Sequence, residues 1–372
     1  MNNPDPISFT QTLRMKVRDE AYSWLNQAAI EVNQIWNYCN ETSYKAVETS
    51  VERPNPRWLS GYDLCALTSG MTKYMKIGAD SIQRVCTTYA NNRYAAKKSK
   101  IGWRTSGGSR RSLGWVPFKA ASIRRNGKYF RFCGKTFRVF DSGKLQNITW
   151  KQGCFAQDSL GDWYLSLMVE VKQEVNIAPK EAVGIDLGLK TIATTSDGEK
   201  LEASHFYRNL EPKLSQAQKR GHKKQAKFIH RKIKHQRKDV LHKFSRKIVN
   251  EYQNIIIGNV SSSKLAKTRM AKSVFDAGWG MLKTFVQYKG QQAGRSVSII
   301  NESYTSRTCS HCGSLSGPQG VNGLRVRGWR CVDCGAVHDR DENAALNILR
   351  LGSRCQTSVS GNELASPLGR AA

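Results

Sequence analysis

The chain has 372 residues, 39% of them hydrophobic, which is enough to fill the cores of two to four modules. Its 59 Lys and Arg stand against 29 Asp and Glu, a formal net charge of +30 that exceeds anything solubility requires and points to a polyanionic partner, nucleic acid first. No run of about 18 apolar residues suggests a membrane span, and the opening MNNPDPISFTQTLRMKV lacks the apolar stretch of a signal peptide.

Residues 7–18 alternate like a strand and are assigned, as residues 1–18, to the first strand of a β-domain that resumes later in the chain. Residues 19–104 read as a helical domain. Trp24, Leu25, Ala28, Ile30, Val32, Ile35 and Trp36 recur at helical spacing, and Pro54 and Pro56 divide the helical stretch in two. The run TSGGSRRS (105–112) predicts an exposed loop. From Trp115 to Val171 the period changes to two, with Asn126-Gly127 and Cys133-Gly134 as hairpin signals, so residues 105–180 are expected to form a small antiparallel barrel or sandwich. Its aromatic residues are either core or a platform for bases.

An α/β pattern follows over residues 181–308. AVGIDLGL (182–189) reads as a buried strand and TIATTSDGEKLEA (191–203) as a hairpin turning at Asp197-Gly198. Residues 208–250 read as two antiparallel basic helices. Lys223, Lys224, Lys227, Arg231, Lys234, Arg237 and Lys238 on them are the candidate nucleic-acid contacts. NIIIGNV (254–260) and SVSIINE (296–302) are apolar strands flanking an amphipathic helix over 275–294. Residues 309–335 form a cysteine-bearing insert, and 336–352 contain a short helix closing at Gly352. Residues 353–372 are expected to be a disordered tail.

Six of the ten cysteines are scattered singly, whereas Cys309, Cys312, Cys331 and Cys334 form two CxxC knuckles separated by eighteen residues. That spacing brings four thiolates around one tetrahedral ion, so a structural Zn²⁺ with no open coordination position is expected. The pattern suits a reducing cytoplasm, with association to the nucleoid when DNA is bound. Arg325, Arg327 and Arg330 suggest that this ribbon also touches nucleic acid.

Asp186 is an acid inside an apolar strand, a costly placement unless a partner or a metal compensates. In HDRDENAALNIL, the residues Asp339, Asp341 and Glu342 all stand where an acid would complement a helix N-terminus, and spacing alone does not rank them.

Taken together, GIDLGLKTIATTSDG, TSRTCSHCG and CVDCGAVHDRDENAALNIL resemble the TnpB (OrfB) proteins of bacterial insertion sequences, relatives of type V CRISPR effectors and of Fanzor proteins. The likeness covers residues 181–352. Upstream, the order of modules is similar to the family's helical recognition domain and β-barrel wedge domain. The resemblance implies an α/β RNase H-like (RuvC) nuclease core with an inserted zinc ribbon. It also implies a guide RNA and a target DNA as partners, no small-molecule cofactor, and DNA cleavage beside a short flanking motif. By position it makes Asp186 the first catalytic acid and Asp341 the last, holding Mg²⁺.

One position departs from the family pattern: Gly258 stands where a glutamate is expected at the end of the second core strand. The two strands 254–258 and 296–302, joined by a helix, should be parallel sheet neighbours about 4.8 Å apart. Glu302 could therefore reach the site across the sheet, and it is taken as the third catalytic and magnesium-binding acid, ahead of Asp276, Glu251 and Asp339. The alternative is a nuclease-dead RNA-guided binder acting by occupancy. A strand-transferring transposase lacks its paired-His and Tyr signature here, and a plain zinc-ribbon RNA-binding module leaves the acid-bearing strands unexplained.

Overall fold

A computed structural model of the chain describes residues 6–49, 58–140, 148–319, 323 and 325–360, the side chains of 263–264 and 355–360 excepted. The chain divides into two compact units, residues 9–171 and residues 1–8 with 172–372. Pro54 and Pro56, the expected helix breakers, lie outside the described residues.

In the first unit, β1 (Ile7–Lys16) leads into α1 (Tyr22–Glu48), followed by α2 (Gly61–Leu67) and α3 (Ala79–Ala96). The strands β2 (Trp115–Lys119), β3 (Ile123–Asn126), β4 (Tyr129–Phe132), β5 (Lys135–Arg138), β6 (Trp150–Gln157) and β7 (Trp163–Gln173) complete it. They form a four-stranded sheet in the order β1-β7-β6-β2 and a three-stranded meander β3-β4-β5. An isolated antiparallel bridge between Val17 and Val139 links the two. The β4–β5 hairpin turns through Cys133 (φ 46°) and Gly134 (φ 76°), the left-handed pair that a two-residue loop requires on right-twisted strands.

The expected helical domain (19–104) and β-domain (105–180) share one hydrophobic core here. Trp24 of α1 meets Phe132 edge-on at 5.8 Å between ring centroids, and Phe118, Phe137 and Phe155 pack around them. Phe130, Phe132 and Phe137 are each 1% exposed and belong to the core, whereas Tyr129 and Phe140 of the same stretch are about half exposed. An amphipathic helix must bury its apolar face on something, and α1 shares its core with the strands.

The second unit is built on a five-stranded mixed sheet. Its strands are β8 (Lys180–Asp186), β9 (Thr191–Thr195), β10 (Lys200–Glu202), β11 (Tyr252–Gly258) and β12 (Ser296–Ile300), in the order β10-β9-β8-β11-β12. The β8–β9–β10 half is antiparallel; β8, β11 and β12 are parallel. Between β10 and β11 run α4 (Phe206–Lys219) and α5 (Lys223–Glu251), and between β11 and β12 run α6 (Ser262–Leu265), α7 (Ala271–Ala277) and α8 (Trp279–Gln292).

Strand alternation assigns the two faces of this sheet. Val183, Ile185, Ile255 and Ile257 join the core with Leu241, Ile248, Leu282 and Val286 of α5 and α8. The intervening residues Gly184, Ile256 and Gly258 face the last helix, α9 (Arg340–Ser360). A Cβ at Gly184 would run into the backbone of Ala345 and Leu349, and one at Gly352 would lie 2.5 Å from Ile256 Cγ2. Glycines on both surfaces thus set how closely α9 approaches the sheet. The helix does not close at Gly352 as expected; close packing, rather than termination, explains that glycine. Residues 353–360 continue the helix, which corrects the expected tail, and 361–372 lie outside the described residues. Among the described residues no helix is long and apolar enough to cross a membrane.

Candidate active site and four-cysteine ribbon

The parallel strands of the sheet end along one edge, and ligands of open α/β sheets gather outside such carboxyl ends. Asp186 is the last residue of β8, at the centre of the sheet. Ile185 pairs with Ile257 and Gly258 pairs with Ile300, so the register carries Asp186, Gly258 and Ile300 on in one row. Glu302 follows two residues after Ile300. Asp341 opens α9, and with Ala345 and Ile348 it lies on the helix stripe that faces the sheet.

Glu302 fills the space that Gly258 leaves. A Cβ at Gly258 would sit 2.5 Å from Glu302 Oε2, 2.9 Å from Ile348 Cδ1 and 3.3 Å from Glu302 Cβ. That Oε2 is buried and has no hydrogen-bond partner. Burial pushes the Glu302 carboxyl up, with Lys283 opposing. Asp186 is pushed up to about 7 by burial, and then by the negative charges of Glu302 and Asp341, against a weaker pull from Arg340. A carboxyl is shifted this way when it is taken from water and set among like charges, which is the condition a hard cation relieves. An orphaned carboxylate oxygen and a carboxyl raised by two acidic neighbours are donors suited to a divalent cation, while among the described residues only the four cysteines bring their donor atoms within 4.8 Å of one another.

Asp341 is held by Arg327 of the cysteine insert, whose Nη1 donates to both carboxylate oxygens at 3.0 and 2.8 Å. The basic run around Arg327 points to nucleic acid and nothing in its spacing signals a carboxylate, so this contact with Asp341 is not legible in the sequence. The other acids weighed are engaged elsewhere. Asp339 Oδ1 accepts from the Asp341 and Glu342 amides and so caps α9, while Lys200 pairs with both Asp339 and Glu342. Asp276 accepts from the Tyr207 amide and pairs with Arg237 at 2.9 Å, and Glu251 lies 4.0 Å from Lys247.

The Arg237–Asp276 pair corrects the expectation for Arg237. Asp276 is 7% exposed, and a buried carboxylate needs that cation, so Arg237 turns inward. Lys223, Lys224, Lys227, Lys234 and Lys238 are exposed along α5, and Arg231 is half-buried over Phe228.

Cys309, Cys312, Cys331 and Cys334 place their sulfurs within 4.8 Å of one another. The Cys309–Cys334 and Cys312–Cys331 separations are 3.7 and 3.6 Å. Four sulfurs at about 2.3 Å from a tetrahedral centre would be roughly 3.8 Å apart, so the donor set and its spacing fit a thiolate-loving ion. Ser314 and Ser316 hydroxyls hold the Cys331 thiol down to about 5, favouring the thiolate. His338 Nε2 lies 3.1 Å from Cys309 Sγ, a supporting hydrogen bond of the kind that orients metal-bound thiolates. Two short strands, β13 (Gly328–Arg330) and β14 (Val337–Asp339), frame the second knuckle.

Comparison with known proteins bears on these same residues. Residues 166–269 match the OrfB_IS605 family model, described as "Probable transposase", and residues 279–348 match the Cas12f1-like TNB domain. A Streptomyces pristinaespiralis protein named "Putative RNA-guided DNA endonuclease" is 34% identical over 233 residues, 58% of this chain and 57% of its own. The TnpB-like protein L79 of Acanthamoeba polyphaga mimivirus is 25% identical over 249 residues, 59% of this chain and 47% of its own. The chain thus spans about half the length of these relatives. A cryo-EM structure of a Cas12f1–sgRNA–target DNA complex superposes with a TM-score of 0.57 at 13% identity, covering 92% of this chain and 98% of that one. At that identity the likeness speaks for a shared fold alone. Residues 166–269 and 279–348, which carry Asp186, Glu302, Asp341 and the four paired cysteines, are thus similar to TnpB-like and Cas12f1-like proteins.

Proposed function

We propose that this protein is an RNA-guided DNA endonuclease of a transposable element. It would cleave guide-complementary DNA next to a short flanking motif, with Asp186, Glu302 and Asp341 as ligands of catalytic Mg²⁺. The observation that carries this reading is the buried, unpartnered Oε2 of Glu302 in the space beside Gly258, near the end of β8 where Asp186 feels the charges of Glu302 and Asp341. When bound, two Mg²⁺ ions would supply an activated water and charge stabilisation at the leaving oxygen of a phosphodiester.

The chain's own residues do the rest. Asp186 anchors the site at the centre of the sheet. Glu302 enters from the extension of β12, two strands away from β8 in the sheet. Arg327 orients Asp341 and balances part of the cluster's negative charge, while Lys200 keeps Asp339 and Glu342 turned to the helix cap. The exposed lysines of α5 suit the phosphates of a guide RNA or target DNA, since each neutralised phosphate releases counterions. Sequence would be read by guide pairing, as in other RNA-guided nucleases. The four cysteines would hold a structural Zn²⁺, and the protein would work in the cytoplasm on the nucleoid.

A second reading, a guided binder that does not cut, draws support from Gly258 itself. One experiment separates the two: co-expression with RNA from the native locus and cleavage of a plasmid library with randomised flanks beside the guide-matched target. Magnesium-dependent cuts next to one enriched flank, absent in Asp186→Ala and in Glu302→Ala, establish the nuclease. Guide-dependent binding without cuts establishes the binder and refutes the nuclease.

A further inference from the structure

Glu302 stands beyond the last residue of β12, where no ladder of strand hydrogen bonds holds it. Something else must keep its carboxylate beside Asp186. Thr305 starts the answer: its amide and its hydroxyl both donate to the Glu302 carbonyl, at 3.2 and 2.8 Å, closing a turn directly behind the glutamate. The carbonyl of Thr305 accepts from Asn343 Nδ2 at 3.3 Å and Asn347 Nδ2 at 2.9 Å. The carbonyl of Thr308 accepts from the same two groups, at 2.8 and 2.6 Å. Asn343 Oδ1 accepts from the Ser310 amide at 2.8 Å, inside the first cysteine knuckle.

Both asparagines are buried, 1% and 2% exposed, and they sit one turn apart on α9. A carbonyl can only accept, so both side-chain amides must turn their NH₂ groups to the loop, and the two donors on each nitrogen are used in full. The same helix carries Asp341 two residues before Asn343.

We propose that Asn343 and Asn347 are positioning residues for Glu302. They clamp the segment from Glu302 to Ser310 onto the helix that bears Asp341, so the spacing of two catalytic carboxylates is set by α9 and by the cysteine ribbon rather than by the sheet. The inference rests on the reading of Glu302 as a metal ligand. It accounts for how a glutamate displaced from a strand into a loop can be held as firmly as one in the strand: four hydrogen bonds to two loop carbonyls replace the missing ladder. It also assigns the ribbon a part in the chemistry, because Ser310, next to Cys309, is the third point of the clamp. Arg327 ties the second half of the ribbon to Asp341 in parallel.

The test uses the full chain with its guide RNA and bound zinc, comparing Asn343→Ala, Asn347→Ala and Glu302→Gln with wild type. Mn²⁺ binding is followed by electron paramagnetic resonance, exchange of the Thr305 amide by hydrogen–deuterium mass spectrometry, and zinc content and guide-dependent DNA binding as controls. Either alanine variant is expected to weaken Mn²⁺ binding at least five-fold and to speed Thr305 exchange at least ten-fold. Zinc content and DNA binding stay at wild-type levels. Unchanged Mn²⁺ affinity in both alanine variants overturns the proposal, provided that Glu302→Gln does weaken it. Wild-type Mn²⁺ affinity in Glu302→Gln instead overturns the assignment of Glu302 itself. Loss of zinc or of DNA binding together with Mn²⁺ affinity in both alanine variants means that the asparagines serve folding alone, and it also overturns the proposal.

Discussion

Glu302 Oε2 lies 2.5 Å from where a Cβ on Gly258 would stand, so one residue occupies the side-chain space the other lacks. An alanine at Gly258 must push the carboxylate, or Ile348 behind it, out of place. Gly258→Ala is expected to lower cleavage at least ten-fold while leaving guide-dependent DNA binding intact. The exchange Gly258→Glu with Glu302→Gly, which returns the acid to the strand, should recover activity to within about ten-fold of wild type. Wild-type cleavage by Gly258→Ala would show that this volume is not where the working carboxylate sits.

The raised Asp186 carboxyl makes a statement about stability. In magnesium-free, zinc-replete buffer the folded protein keeps a proton on Asp186 up to about pH 7, whereas the unfolded chain loses it near 3.8. Between those values the folded state binds more protons, so stability falls as pH rises through the window. Asp186→Asn removes that penalty. It should match wild type below about pH 4 and exceed it above pH 7 by roughly 1–3 kcal/mol, less than the full linkage value because the surroundings relax around the charged carboxylate. Thermal melts at pH 4 and pH 8 decide it; equal melting temperatures at pH 8 would contradict the electrostatic account of the site.

Two neighbouring cations of α5 should separate by function. Arg237→Ala leaves Asp276 buried without its partner and should destabilise the fold by about 3–5 kcal/mol, with little change in the salt dependence of nucleic-acid binding. Lys234 is exposed; Lys234→Ala should leave stability alone and reduce the slope of log affinity against log salt by about 1 if it meets a phosphate. Urea unfolding and salt titrations measure both, and the reverse pattern would mean that the helix is rotated from the orientation described.

Gly184 faces the backbone of α9 at Ala345 and Leu349 with no room for a methyl group. Backbone cannot swing aside as a side-chain tip can, so Gly184→Ala should lift α9 from the sheet and destabilise the protein by about 3 kcal/mol, toward the upper end for overpacking. Since α9 carries Asp341, cleavage should fall more steeply than stability. An unfolding midpoint in urea equal to wild type would show that the helix can shift without loss.

The local rules of chain chemistry sufficed for much of this protein. The two CxxC knuckles define a tetrahedral thiolate site because the ligands are paired within a few residues. The strands 180–186, 252–258 and 296–300 are legible because apolar runs of that length, separated by helical periodicity, have few other solutions. Asp186 stands out because an acid in such a run requires compensation. Gly352 misled for the same local reason: a glycine near the end of a helical pattern reads as a stop, while its contact with Ile256 comes from a strand almost a hundred residues earlier.

Tertiary structure decided the partners. Arg237 and Lys234 are both basic residues on one helix, and only the position of Asp276 on α7 turns one inward and leaves the other in solvent. Asp339, Asp341 and Glu342 are equivalent as a string of acids at a helix start. Capping by Asp339, the Lys200 bridges and the Arg327 grip distinguish them, and each comes from geometry distant in the chain or set by backbone direction. The vacancy at Gly258 and its occupant Glu302 are 44 positions apart, and the asparagines that hold Glu302 lie about 40 further on. Sequence determines which chemistry each residue can offer, because that is a property of the side chain. Which groups share a volume, and so which carboxylate is left without a partner, is decided by long-range packing that no local pattern contains.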